Sequence, residues 1–127
     1  MEETGTEENS ILTVNGLRQL QSTEKMVILK FSAEWCGPCR KIKYICDEHF
    51  PSLRNQGATC IEVDIDESLE LYVTLKRKKM IAGVPSLLAF YKKDRTHWYA
   101  CDDSVTGGDV IMVTNFLTRC SKKLSES

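Results

Sequence analysis

Residues 26–39 read MVILKFSAEWCGPC and place a run of strand-forming residues directly before two cysteines. The run from Met26 to Phe31 is short and nearly continuously apolar, a pattern typical of a buried central strand in a parallel sheet. The pair Gly37-Pro38 then favours the start of a helix, because the first helical turn does not use the N–H that proline lacks. The stretch therefore predicts a strand that passes directly into a helix at Cys36 and Cys39.

Strands and helices alternate on both sides of this stretch. Apolar periodicity and turn residues predict, in chain order, a short strand over Ile11–Val14, a helix capped by Asn15, the strand and helix already described with the helix ending near His49, a strand over Ala58–Ile65, a helix capped by Asp66, a strand over Ser86–Tyr91, its hairpin partner over Thr96–Cys101 and a last helix from Val110 to Cys120. Strands that alternate with helices indicate crossover connections. The predicted fold class is α/β, with a central mixed, mostly parallel five-stranded sheet and helices on both faces.

The length of 127 residues suits one domain, which we place at residues 11–122. Residues 1–10 are predicted to be a flexible N-terminal tail and residues 123–127 a C-terminal tail. The formal net charge of −1 argues against nucleic acid or an anionic membrane as a partner, since both attract a basic excess. The first ten residues contain four glutamates and no Lys or Arg, unlike a secretory signal or a transit peptide, so we expect a reducing, cytoplasmic location.

The position of Cys36 and Cys39 at the start of a helix predicts thiol–disulfide chemistry. A thiolate attacks disulfides, and the unpaired N–H groups and dipole of a helix N-terminus stabilise the thiolate of Cys36. Cys39 lies one turn later, and we expect it to be more buried and within reach of the mixed disulfide that Cys36 forms. Cys36 is thus the candidate nucleophile and Cys39 the candidate resolving residue.

Two other interpretations of the cysteines are weaker. A structural zinc site needs four ligands, and the chain offers neither a second CxxC nor an HxxxH pair, so no metal site is predicted. Six cysteines in a secreted protein would suggest structural disulfides, but the remaining four are scattered, as small buried apolar residues are. Among these four, Cys46 and Cys60 are expected in the core, Cys46 is alternatively a site of regulatory oxidation, and Cys101 or Cys120 could link two chains.

Residues 31–39, FSAEWCGPC, closely resemble the active-site stretch of the thioredoxin family. Gly83-Val84-Pro85-Ser86 resembles the family's cis-proline loop, and Val63-Asp64-Ile65-Asp66 resembles the strand end between these two motifs. The resemblance extends over residues 11–122. It implies the thioredoxin fold and an enzyme that reduces protein disulfides, and the Gly-Pro spacer is typical of the reducing branch.

The resemblance also implies roles for residues around the cysteines. Pro85 is expected to be cis and to pack against the cysteine pair, although Val84-Pro85 alone would suggest an ordinary turn entering a strand. The backbone of Val84 would bind an extended substrate segment, and Trp35, Gly37 and Pro38 would complete a flat apolar docking surface. The implied partners are disulfide-containing target proteins and a thioredoxin reductase that delivers electrons from NADPH. No cofactor is expected on the chain itself, which is expected to be a monomer.

Lys30 stands where the family carries a buried acid, six residues before the first cysteine. The family's partner lysine corresponds here to Glu62 on the next central strand, so the pair is predicted to be charge-swapped. An isolated charge in an apolar strand is costly, which favours pairing over a side chain that reaches the surface or a neutral buried amine. We hypothesise that Glu62 takes up the Cys39 proton through water, or that Lys30 stabilises the Cys39 thiolate.

Two further positions depart from the family pattern. Tyr44 replaces a kinking proline in the active-site helix, which predicts a straighter helix, and a family glycine before the last helix falls near Asp103. These departures leave an alternative function open, namely an interaction module of the thioredoxin fold that works within a larger assembly with little turnover. The intact WCGPC motif argues against this alternative, since a scaffold has no chemical need for two matched thiols.

Overall fold

The computed structural model describes residues 11–126 and shows one sheet between two layers of helices. In chain order the elements are α1 (Val14–Thr23), β1 (Met26–Ser32), α2 (Gly37–Lys41), α3 (Lys43–Asn55), β2 (Ala58–Asp64), α4 (Leu69–Arg77), β3 (Ser86–Tyr91), β4 (Asp103–Thr106) and α5 (Val110–Ser125). The tail predicted over residues 1–10 lies outside the described residues. No helix within residues 11–126 is long and apolar enough to cross a membrane.

The sheet has four strands in the order β2-β1-β3-β4. Strand β1 pairs in parallel with β2, whereas the β1–β3 and β3–β4 pairs are antiparallel. The predicted mixed sheet is confirmed, but the predicted five strands and the mostly parallel pairing are wrong. The reason lies in the register: Ser32 at the end of β1 faces Asp64 at the end of β2, and Phe31 faces Ser86 at the start of β3. The chain between β2 and β3 therefore returns to the end of the sheet at which β2 ends, and β3 runs antiparallel to β1.

Strand β1 lies at the centre of the molecule, and all seven of its residues are buried. Alternate side chains of a strand point to opposite faces, so β1 contributes to two cores. Val27, Leu29 and Phe31 pack in a core with side chains of α1 and α4, while Met26 and Ile28 pack in a core with side chains of α3 and α5. This two-sided burial explains why the strand is nearly continuously apolar, and it confirms helices on both faces.

The strand predicted over Ile11–Val14 is absent, and this prediction is wrong. Helix α1 begins at Val14 because Thr13 caps it, with the Thr13 hydroxyl accepting a hydrogen bond from the Gly16 N–H at 2.9 Å. Asn15, the predicted cap, lies inside the first turn. The Leu12 N–H donates to the Ser68 hydroxyl at 2.9 Å instead of joining a sheet. Threonine is a weaker N-cap residue than asparagine, so the local preference predicts a helix start two residues later than the observed one.

The hairpin partner predicted over Thr96–Cys101 is also wrong, because β3 pairs with Asp103–Thr106 instead. A side-chain network occupies the connection between the two strands. The Asp102 carboxylate accepts hydrogen bonds from the Tyr91 N–H at 2.7 Å and from the Arg95 guanidinium, which also donates to the Ala100 carbonyl at 2.7 Å. These bonds hold residues 92–102 as a folded loop, so strand pairing resumes only after Asp102.

Asp102→Asn is expected to lower the free energy of unfolding by about 2 kcal/mol at neutral pH, because Arg95 would lose its carboxylate in a nearly closed site. Burial acts to raise the pKa of Asp102, but hydrogen bonds from Lys93, the Tyr91 N–H and Arg95 outweigh it and hold the pKa below its usual value. A depressed pKa in the folded state contributes stability that is present above the unfolded pKa, about 3.9, and is lost as the pH falls through the folded value. Urea unfolding should therefore show a constant difference between variant and wild type above about pH 5 that shrinks below about pH 4. A difference that stays constant down to the lowest pH at which both proteins fold would contradict this account.

The active-site helix is interrupted at Ile42, where ψ is 1° between α2 and α3. The expectation of a straighter helix, based on Tyr44 in place of proline, is therefore wrong. Ile42 is fully buried in the core against α3 and α5, so the interruption coincides with a packed side chain and needs no proline.

Helix α3 also continues beyond the predicted end near His49, passing through Pro51 to Asn55. Phe50 and Leu53 are buried on either side of Pro51, and this packing maintains the helix although proline removes one backbone hydrogen bond. Helix α5 similarly extends into the predicted C-terminal tail and ends at Ser125, because Leu124 is buried in the same core.

Candidate active site

Cys36 lies at the junction between β1 and α2, as the sequence predicts. It is the N-cap residue of α2, with extended backbone angles, and Pro38 occupies the first helical turn. The Cys39 N–H donates a hydrogen bond to the Cys36 sulfur at 3.2 Å. An N-cap normally accepts such a bond through a side-chain oxygen, so here sulfur takes the place of oxygen. The same N–H group would stabilise a thiolate at this position.

The sulfurs of Cys36 and Cys39 lie within disulfide-bonding distance of each other, and the two Cα atoms are 5.3 Å apart. This Cα distance falls in the ordinary range for disulfides, so the pair closes without distortion of the backbone. The predicted difference in burial is wrong, since the exposed fractions are 5 % for Cys36 and 4 % for Cys39. Closure of the disulfide places the two sulfurs against each other, and the Val84 carbonyl oxygen lies 3.9 Å from the Cys36 sulfur.

The loop before β3 forms the second wall of the site. The Val84–Pro85 peptide is cis, as the resemblance implies. The Ser86 hydroxyl donates to the Gly83 carbonyl at 2.6 Å, and the Pro85 carbonyl accepts a hydrogen bond from the Gly107 N–H at 2.9 Å. The loop is therefore tied both to itself and to the segment that follows β4.

The segment after β4 forms a third wall that the sequence analysis did not locate. A Cβ atom on Gly108 would lie 3.0 Å from the Pro38 Cβ and 3.2 Å from the Pro38 carbonyl oxygen, which is tighter than most Cβ contacts in proteins. Glycine thus avoids a tight contact with the active-site helix at Gly108, and not near Asp103, where the family glycine is expected. The available signal was the pair Gly107-Gly108 directly before Asp109, a typical helix cap.

Trp35 lies at the entrance of the site, with 65 % of its surface exposed. Its indole N–H donates to the Asp66 carboxylate at 3.0 Å. Asp66 therefore orients Trp35 and does not cap α4, whose N-cap residue is Ser68. Gly37 and Pro38 are exposed beside Trp35. The structure thus brings these three predicted residues together around the cysteine pair.

Lys30 and Glu62 form an ion pair across the β1–β2 ladder. They are register partners, and the Lys30 Nζ lies 3.1 Å from the Glu62 carboxylate. The Lys30 side chain is 2 % exposed and that of Glu62 is 50 % exposed, so the lysine does not reach the surface. The Ser32 hydroxyl donates to the same carboxylate oxygen at 3.1 Å. The predicted pairing is confirmed. The ion pair has its ammonium in the interior of the protein and its carboxylate partly in contact with solvent.

The other cysteines of the described chain are unpaired and mostly inaccessible. Burial raises the pKa of Cys46 to about 11 and the pKa values of Cys60 and Cys120 to about 12. The core positions predicted for Cys46 and Cys60 are confirmed, and full burial of Cys120 contradicts the suggestion that it links two chains. Cys101 is half-buried, with its pKa raised by burial. Within residues 11–126, no three His, Cys, Asp or Glu side chains form a group that could hold a metal ion.

Comparison with known proteins gives a consistent result. The sequence model of the thioredoxin family matches residues 13–107. Thioredoxin domain-containing protein 8 of Mus musculus is 40 % identical over 63 residues, which cover 48 % of this chain and 48 % of that protein. Thioredoxin of Pongo abelii is 34 % identical over 70 residues, covering 55 % of this chain and 60 % of that protein.

The fold is similar to that of solved thioredoxins. A structure of Plasmodium falciparum thioredoxin superposes with a TM-score of 0.66 and 22 % identity, covering 86 % of this chain and 95 % of that one. The matched part of the chain spans about half the length of the curated relatives described above.

Proposed function

The chain belongs to the thioredoxin family, and from this premise we propose that it is a thiol–disulfide oxidoreductase that reduces protein disulfides. The observation that carries the proposal is the pair of sulfurs at bonding distance on the first turn of α2, beside the Val84 carbonyl. Two thiols that close into a disulfide without backbone movement can store and release two electrons.

The proposed reaction has two exchange steps. The Cys36 thiolate attacks one sulfur of a target disulfide, the target S–S bond breaks, and the second target sulfur leaves as a thiolate that takes a proton from solvent. Cys39 then loses its proton to solvent and attacks the Cys36 sulfur, which expels the first target sulfur as a thiolate that takes a proton from solvent. The chain ends with a Cys36–Cys39 disulfide, and the target ends with two thiols.

Substrate binding is proposed to use the walls of the site. An extended target segment would hydrogen-bond to the backbone of Val84, next to the cis Pro85, in the manner of an added strand. Trp35, Gly37 and Pro38 would contact the residues that flank the target disulfide. Their exposure around the closed cysteine pair supports this assignment.

Regeneration is proposed to occur on a second protein. A flavin-dependent thioredoxin reductase would return electrons from NADPH to the Cys36–Cys39 disulfide, and the chain itself would bind no cofactor. We also propose that the protein works as a monomer in the cytoplasm, where a reducing environment suits the unpaired Cys46, Cys60, Cys101 and Cys120.

Reduction of insulin by dithiothreitol tests the proposed activity. The wild-type protein is expected to accelerate precipitation of the insulin B chain by about a hundredfold or more over dithiothreitol alone, because an activated thiolate replaces a free thiol. Cys36→Ser removes the nucleophile and should return the rate to that of dithiothreitol alone. No acceleration by the folded wild-type protein would contradict the proposal and favour the alternative of a non-catalytic interaction module.

A further inference from the structure

Four consecutive cationic residues, Lys76–Lys79, occupy the last turn of α4 and the turn that follows it. We call them the basic cluster. All four are exposed, and none forms an ion pair with an Asp or Glu within residues 11–126. The helix dipole favours cations at this end of α4, but the backbone at Lys79 has a different explanation.

Lys79 has a φ of 64°, in the left-handed region that favours glycine. Two backbone hydrogen bonds of 2.9 Å close the turn, from the Lys79 N–H to the Lys76 carbonyl and from the Met80 N–H to the Leu75 carbonyl. Glycine is the usual residue at this position of a helix end, because a Cβ atom is disfavoured there. The chain thus carries a cation where glycine would suit the backbone better, which indicates a use for the charge.

Two aromatic rings position the amines of the basic cluster. The Lys76 Nζ lies 5.5 Å from the centroid of the Tyr72 ring, and the Lys78 Nζ lies 4.9 Å from the centroid of the Tyr99 ring. A ring face attracts a cation without neutralising its charge. The cluster therefore presents positive charge at defined positions, which suits an acidic peptide segment.

The chain itself supplies an acidic segment that leads to the same helix. Residues 1–10 lie outside the described residues, and their sequence contains four glutamates and no Lys or Arg. The Leu12 N–H donates at 2.9 Å to the hydroxyl of Ser68, the N-cap residue of α4. The basic cluster begins about 12 Å farther along the helix. Glu8 and Glu7 precede Leu12 by about 14 and 17 Å of extended chain, so the two lengths match.

We propose that residues 2–8 bind along the exposed side of α4 and that Glu7 and Glu8 pair with the basic cluster. Because the contact is intramolecular, the effective concentration of the glutamates is in the millimolar range, and individually weak ion pairs act together. The bound segment neutralises the basic cluster and competes for it with any acidic segment of another protein. This inference does not depend on the proposed reductase activity, and its test measures no activity.

A water-soluble carbodiimide tests the contact in the full chain, because it joins a carboxylate to an amine, with loss of water, only where the two groups touch. Peptide mapping by mass spectrometry should find links from Glu7 or Glu8 to lysines of the basic cluster at about fivefold higher yield than links to Lys41 or Lys122, which are exposed on other helices. About 1 M NaCl should lower this yield about fivefold, because the Debye length falls to about 3 Å.

Two outcomes of the cross-linking overturn the proposal. The first is an equal yield at all of these lysines, or a yield that salt does not change. The second concerns a mixture of isotopically labelled and unlabelled protein, in which an intramolecular contact gives links of one isotopic composition only. Links that join a labelled to an unlabelled chain would assign the basic cluster to a second copy instead.

Charge-matched variants provide an independent measurement. Glu7→Gln/Glu8→Gln should shift the NMR amide resonances of residues 76–80, because the basic cluster loses its carboxylates. The control Glu48→Gln/Glu126→Gln makes the same change in net charge at exposed positions of α3 and the end of α5, and it should leave these resonances in place. Unchanged resonances in the first variant, or equal shifts in both variants, would contradict the proposal.

Discussion

Cys39→Ser is expected to convert the protein from a turning-over reductase into a trap that remains covalently bound to its targets through Cys36. In the wild-type protein the resolving thiol lies on the same helical turn as Cys36, with its sulfur within bonding distance of the nucleophile. Resolution is therefore intramolecular, and the effective concentration of Cys39 exceeds that of any free thiol. If an external thiol at about 1 mM must replace it, turnover should fall by more than about a thousandfold.

The variant keeps the features that support the first step. The Cys39 N–H that donates to the Cys36 sulfur is a backbone group and survives the substitution. The attack by Cys36 should thus proceed at a rate within about tenfold of the wild-type rate, so the loss falls almost wholly on the second step. Rapid mixing with a disulfide peptide would show one fast exponential phase and no further turnover.

Mass spectrometry of the trapped complexes measures the result directly. The variant should gain the mass of one target half, and the gain should disappear on treatment with dithiothreitol. The double variant Cys36→Ser/Cys39→Ser is the control, because it keeps the other four cysteines and should form no complex. A mixed disulfide located on Cys101 or another cysteine would contradict the assignment of Cys36 as the nucleophile.

The core of the site was predictable because its determinants are local. A buried strand that ends at Ser32 and a helix that begins at Gly37 are encoded within one short stretch, and the cysteine positions follow from that junction. The pairing of Lys30 with Glu62 was predictable for a related reason. Both residues lie on adjacent parallel strands, and a buried ammonium in an apolar strand requires a counter-charge.

The errors arose where distant side chains override local preference. No pattern in residues 92–102 indicates that Asp102 and Arg95 hold the ends of this loop together through hydrogen bonds. The local preference for a strand at Thr96–Cys101 therefore predicts a strand that the folded loop does not form. The contact between Gly108 and Pro38 joins segments far apart in the chain, and only the assembled fold brings them together. The sequence predicts too many parallel strand pairs, because the alternation of helices and strands does not specify at which end of the sheet each new strand begins.

Replacing Glu62 is expected to destabilise the protein more than replacing Lys30. Glu62→Ala leaves the Lys30 ammonium buried without a carboxylate, and breaking such a pair costs about 3–5 kcal/mol when both partners are buried. Glu62 is half-exposed, so water can reach part of the site, and we expect a loss of about 2 kcal/mol. Lys30→Met removes the buried charge with a side chain of similar length and should change the free energy of unfolding by less than about 1 kcal/mol, or raise it.

The same variants separate a structural role of the pair from a role in the reaction. If Lys30 stabilises the Cys39 thiolate, its removal should shift the rising limb of the pH–rate profile for peptide reduction to higher pH by about one pH unit. The charge-exchanged double variant Lys30→Glu/Glu62→Lys preserves an ion pair but reverses the buried charge, so its profile should move further in the same direction. Single-turnover rates between about pH 5 and pH 9 measure both shifts.

Lys30 also acts on its surroundings beyond Glu62. Burial raises the pKa of Cys46 to about 11, and the Lys30 charge opposes this effect, so the lysine charge acts on a thiol of helix α3. A group that only anchored β1 to β2 would alter stability and leave the pH–rate profile unchanged. We expect the rising limb to lie at the lowest pH in the wild-type protein, at a higher pH in Lys30→Met and at the highest pH in the charge-exchanged variant. This order would show that the sign of the buried charge affects thiol–disulfide exchange. Identical pH–rate profiles in all three proteins would show that Lys30 contributes to stability and has no role in the reaction.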